Sequence, residues 1–146
     1  MRSEHLSNLH PGWTLIGWLV AVAVAAVVQI ALVGSGLLPP VGGAAALGSM
    51  VALAVGFFAG GLFVGLRWSD APILHGVALA LVSALVWFAG ALLAPDAVGG
   101  RMGEGDTAVL GSLLLQLAAA VAGALTGRSL VRSGHTPDPA AMPPEA

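Results

Sequence analysis

Apolar and polar positions along this chain are segregated into blocks. Residues 13–38, 44–66, 73–94 and 107–130 are long apolar stretches whose only Asp, Glu, Lys, Arg or His residues are His75 and Arg128, each near one end of its stretch. A hydrocarbon layer about 30 Å thick is crossed by about 20 helical residues at about 1.5 Å each, so every stretch is long enough to span it. The pattern predicts an all-α, integral membrane four-helix bundle with antiparallel neighbours and both termini on the same side. The transmembrane domain covers residues 13–132. A polar tail covers 1–12, and a proline-rich tail without periodicity covers 133–146 and is expected to be disordered.

The breaks between stretches carry their own signals. Gly34, Ser35 and Gly36 weaken helical preference, Pro39 and Pro40 stop the first helix, and Gly42 and Gly43 let the chain reverse. Arg67 and Trp68 close the second span with a cation at the negative end of the helix dipole and an aromatic at the interface. Asp70 reads as the N-cap of the third span, with Pro72 in its first turn. Pro95 ends that span. The next connection holds Asp96, Glu104 and Asp106 against Arg101, and Asp106 and Thr107 are capping candidates for the fourth span. Trp13 is placed to sit at the headgroup level, with Trp18 just beneath it.

Composition narrows the setting further. With 58% hydrophobic and 8% charged residues, and a mean hydropathy of +0.95, the chain has too little polar surface to face water. The first span exceeds the usual 7 to 15 residues of a signal sequence, and Arg2 opposite Glu4 makes a weak preceding charge region. It therefore reads as a retained helix, although the small residues Gly34 to Gly36 keep cleavage open as an alternative. Cysteine is absent, which removes disulfides, thiolate nucleophiles and Cys metal sites together. The basic residues form no stripe able to hold a phosphate backbone, so nucleic acid is not expected as a partner.

Arg2, Arg67, Arg128 and Arg132 fall on the side of the termini, and only Arg101 falls on the other. The positive-inside rule then places both termini in the cytoplasm, in a bacterial inner membrane. Arg67, Asp70, His75, Arg128 and Arg132 would form a cytoplasmic cluster. The segments 36–43 and 91–100 share a Leu-Leu, Pro and Gly-Gly pattern, which either a tandem duplication of hairpins or chance in Gly- and Ala-rich sequence explains.

Lipid is as apolar as leucine, so helices in it associate through close packing of small residues. The second span carries such a row in Ala44, Gly48, Ala52, Gly56 and Gly60, with Gly61 and Gly65 beside it, and is expected at the bundle centre. Matching rows are Gly17, Ala21 and Ala25 in the first span and Ala119, Gly123 and Gly127 in the fourth. These faces serve internal packing or contact with another copy or another membrane protein. Gln29 and Gln116 are the most polar groups away from the span ends, and they are expected to bond across spans one and four. His75 has no second ligand at metal spacing, and no nucleophile, paired carboxylate or phosphate-loop pattern occurs. No cofactor and no enzymatic activity is expected.

Gly60-Gly61, Gly65, the turn 67–72 and His75-Gly76 together resemble the central hairpin of a family of small bacterial four-span membrane proteins of unknown function. The resemblance covers residues 44–94. It implies a topology and transfers no site. The chain departs from that pattern in Asp70-Ala71-Pro72 and in its tail. Two roles remain: an accessory or interaction protein acting through the small-residue faces and the cytoplasmic cluster, or an oligomeric pore for a small neutral solute lined by Gln29, Ser49, Ser83, Ser112 and Gln116. Beyond the bilayer, its partners would be another membrane protein or further copies of the chain.

Overall fold

The computed structural model of the chain describes residues 10–39, 41–67, 71–94 and 106–133, without the side chains of 106–108. These residues form α1 (Pro11–Gly34), α2 (Gly43–Arg67), α3 (Pro72–Leu93) and α4 (Asp106–Ser133), with no strand among them. All four helices are long and apolar enough to cross a membrane. Their outward faces are apolar as well, as at Ile30, Leu85 and Leu114, each about two-thirds exposed, the reverse of what water would tolerate. The chain is an all-α, multi-pass membrane protein.

Prolines open two of the helices. Pro11 and Pro72 occupy first-turn positions, where a missing N–H is no loss and a fixed φ is already helical. The N-cap of α3 is therefore Ala71, not the anticipated Asp70, which lies outside the described residues. Helix α1 ends at Gly34, short of the anticipated 38. There Ser35 N–H donates to Ala31 O at 3.0 Å and Gly36 N–H to Val33 O at 3.0 Å, while Gly36 adopts φ +75°, a conformation that favours glycine. Gly42 at φ +98° then turns the chain into α2. The tail segments 1–9 and 134–146, together with Trp68, Asp96, Arg101 and Glu104, lie outside the described residues.

Helix α2 touches all three other helices, α3 also touches α1 and α4, and α1 and α4 face each other across the diagonal. The order around the bundle is α1, α2, α4, α3. Contact partners give the directions. Gly56 meets Ala21 and Ala25 while Gly60 meets Gly17 and Ala21, so α1 and α2 run oppositely. Gly61 meets Ala120 and Gly65 meets Ala124, so α2 and α4 run the same way. Gly76 lies against Val121 and Ser83 against Gln116, which makes α3 and α4 antiparallel. The most intimate pair is thus α2 with α4, which are parallel and are not neighbours in sequence.

Close approach at glycine creates this arrangement. A side chain on Gly56, Gly60, Gly61, Gly65, Gly123 or Gly127 would run first into a backbone carbonyl oxygen of the facing helix: Ala21, Gly17, Ala120, Ala124, Phe58 and Leu62 in turn. Each of these glycines directs a Cα hydrogen at a carbonyl, a contact worth about 0.5–1 kcal/mol that recurs where helices touch backbone to backbone. Gly48 belongs to a different contact, lying against the Leu38 side chain, and Ala52 is buried on the same row. The α4 row is set by Ala120, Gly123, Ala124 and Gly127, whereas Ala119 lies beside it, partly buried.

The glycine faces of α2 are filled by α1 and α4 of the same chain. They are not the free surface for another protein that the spacing allowed, because a second helix cannot reach a backbone already in contact.

Gly61→Ala or Gly65→Ala is expected to lower stability by about 1–3 kcal/mol, since the new Cβ meets backbone that must move as a body. Gly111→Ala, with nothing within 4 Å, should be neutral or gain up to about 1 kcal/mol. Unfolding by sodium dodecyl sulfate titrated into mixed micelles measures both; equal effects at the two kinds of site would contradict the close-contact account.

Candidate functional site

The glycine contacts lie toward one end of the bundle, the end that holds the start of α1, the end of α2, the start of α3 and the end of α4. Beneath them a core of Ala21, Phe57, Val64, Leu79 and Ala120 closes the interior. Polar side chains at this end are each tied separately. Arg67 places its guanidinium 5.3 Å from the centre of the Trp13 ring, which in turn lies 6.2 Å from Phe63. Such a cation over an aromatic face is worth about 0.5–1 kcal/mol where exposed.

His75 is 1% exposed and joins two helix starts. Its Nδ1 lies 2.8 Å from Ala71 O, and its Nε2 lies 3.5 Å from the His10 backbone nitrogen. That arrangement suits the neutral ring, with Nδ1–H donating to the carbonyl and Nε2 accepting from the amide. The imidazole therefore binds α1 to α3 through backbone groups, and its ring is not presented to a substrate. Arg128 is half-buried with Nε lacking a hydrogen bond, Arg132 is exposed in the last turn of α4, and Asp70 lies outside the described residues. Arg67, His75, Arg128 and Arg132 of the anticipated cytoplasmic cluster thus lie at one end of the bundle, and its acid, Asp70, lies outside the described residues. Among the described residues, no group of three or more His, Cys, Asp or Glu side chains comes together to hold a metal.

The other end opens. Where the glycine contacts stop, the helices diverge around a recess of about 930 Å³ that all four of them line. Phe57, 1% exposed, lies at its base and belongs also to the core beneath. Gln29, Ser49, Ser83, Ser112 and Gln116, the polar residues singled out in the sequence, all line this one recess within a single chain. Among the described residues no charged side chain lines it.

Local bonds determine what these groups leave for a visitor. Ser49 and Ser112 donate to carbonyls of their own helix, Ala45 O at 3.0 Å and Val109 O at 2.8 Å, which keeps their lone pairs for the recess. Ser83 Oγ donates to Gln116 Oε1 at 2.6 Å, linking α3 to α4. Gln116 is 5% exposed. The anticipated bond between Gln29 and Gln116 is absent, because α1 and α4 stand on the diagonal. Gln29 Oε1 is instead buried with no hydrogen-bond partner, an acceptor whose desolvation costs about 1–3 kcal/mol. The sequence marked the polar residues by their depth in the spans, but nothing in it told which of them would be left unpaired.

No family model, no curated protein and no solved structure matches the chain. The likeness of residues 44–94 to small four-span proteins therefore rests on its glycine and His-Gly motif alone.

Ser83→Ala should lower stability by about 0.6 kcal/mol and at most about 1.7 kcal/mol, the range for one interhelical bond in a membrane. Gln29→Leu should leave stability unchanged or raise it, because an unpaired buried carbonyl oxygen is replaced by hydrocarbon. The same detergent titration reads both; a Gln29→Leu loss larger than that of Ser83→Ala would show that Gln29 is engaged in the folded state.

Proposed function

We propose that this chain is a non-enzymatic accessory protein of a bacterial cytoplasmic membrane, and that it acts by holding an uncharged group in the recess. The observation that carries the reading is the taper of the bundle. One end is sealed by glycine contacts over an apolar core, and the other is a recess whose described polar lining is uncharged: Gln29, Ser49, Ser83, Ser112 and Gln116. A sealed end supports binding over permeation. Among the described residues the recess has no acid or base beside its serines to activate them, which supports binding over turnover.

Arg67, Arg128 and Arg132 lie at the sealed end, so the positive-inside rule favours a cytoplasmic sealed end, cytoplasmic termini and a recess open to the opposite face. Contact with another membrane protein or a further copy would use the lipid-facing surface or the recess, since the glycine faces are taken.

The second reading, a facilitator for a small neutral solute, is favoured by one observation, the gathering of those polar residues around a single recess. The natural absence of cysteine makes the two readings separable. Ser112→Cys should react with a membrane-impermeant maleimide from one face only. Leu79→Cys, fully buried in the core, should react from neither face. Reconstituted protein should show no solute leak. Labelling of Leu79→Cys from both faces, or a leak abolished by Gln116→Leu, would replace the binding reading with the facilitator.

A further inference from the structure

The recess is selective in what it leaves unsatisfied. Gln29 Oε1 is a buried acceptor with no donor, so an occupant that satisfies it must bring an O–H or N–H. Gln116 accepts from Ser83 through its oxygen, which leaves its amide N–H groups to meet an acceptor. Among the described residues no Asp, Glu, Lys, Arg or His lines the space, so against this lining a phosphate, carboxylate or ammonium would be desolvated without a counter-charge. The complement is an uncharged head that carries a donor and an acceptor together.

The walls say where such a molecule comes from. Val22, Val86 and Trp87 line the recess from α1 and α3 and are exposed. The contacts between these helices, Gly17 with Leu79 and His10 with His75, lie toward the sealed end. Further along, the wall that α1 and α3 give the recess is apolar at Val22, Val86 and Trp87, at a depth where the surroundings are lipid. An apolar wall at that depth suits a ligand that arrives through the bilayer better than a water-borne solute. An amphiphile dissolved in the bilayer can place its head against Gln29 and Gln116 and leave its chains in the hydrocarbon. A volume of about 930 Å³ suits a lipid head with the first part of its chains.

We propose that the recess binds a neutral, hydroxyl-bearing membrane amphiphile of the diacylglycerol type, with its O–H donating to Gln29 Oε1 and an ester carbonyl accepting from the Gln116 amide. This rests on the reading of the recess as a closed binding site.

Full-length protein in mild detergent is titrated with three lipids of equal chain length and examined by native mass spectrometry. Dioctanoylglycerol offers the hydroxyl, its acetyl ester removes the donor, and dioctanoyl phosphatidate adds charge. Dioctanoylglycerol should be retained at one per chain, with the acetyl ester and phosphatidate each at least about tenfold weaker. Gln29→Leu should weaken dioctanoylglycerol about tenfold and leave the acetyl ester unchanged. Equal retention of the three lipids by the natural protein, or none, overturns the proposal without recourse to a variant. Displacement of dioctanoylglycerol by free glycerol at millimolar concentration would place the ligand's source in water and overturn it as well. Failure of the underlying reading is separate: solute flux undoes the closed site, whereas absent lipid selectivity in a flux-free protein undoes only the ligand class.

Discussion

Backbone-to-backbone contact between helices, with a glycine Cα hydrogen facing a carbonyl oxygen, is what the rest of this structure hangs on. In water, burial of apolar surface would draw the helices together, but in lipid the apolar faces are equally content outside. Association then depends on contacts that lipid chains cannot imitate. Gly56 and Gly60 provide them toward α1, Gly61 and Gly65 toward α4, and Gly123 and Gly127 return them from α4 to α2. Because the two faces of α2 are offset by one residue around the helix, they grip different partners, and α2 becomes the hub.

The position of those glycines along the spans produces the taper. They draw the helices together toward the end that holds Arg67 and His75, and past Gly56 the larger residues Leu53 and Met50 line the recess. A recess follows from divergence alone. Its polarity follows from Ser and Gln residues at this level, which the ring order prevents from pairing completely. Had α1 stood next to α4, Gln29 could have met Gln116; on the diagonal it remains an acceptor in search of a donor. An unpaired buried amide costs stability, and residues of that kind gather where a protein holds something.

The sealed end shows the opposite economy. His75 donates to Ala71 O and accepts from the His10 amide, and Thr14 donates its hydroxyl to His10 O at 3.3 Å, so the starts of α1 and α3, which have no side-chain caps, are tied together through one buried imidazole. Arg67 covers Trp13. A histidine and an arginine that read as candidate chemistry are here parts of the joinery.

Much of this could be read from the chain. Segregation of charge into the connections is a property of each segment alone, so the spans, the all-α class and the hub position of α2 were accessible without a fold. The small-residue rows were visible too, because four-residue spacing puts side chains on one face whatever lies opposite. Which helix lies opposite was not accessible: a face of glycine suits α1, α4 or another protein equally, and the choice is made by the summed contacts of all four helices at once. The end of α1 at Gly34, the cap at Ala71, the separation of Gln29 from Gln116 and the gathering of Ser49, Ser83 and Ser112 around one recess all depend on that choice. Hydropathy is local and placed the helices in lipid; pairing is collective, and only the assembled bundle could decide which polar groups meet and which are left without a partner.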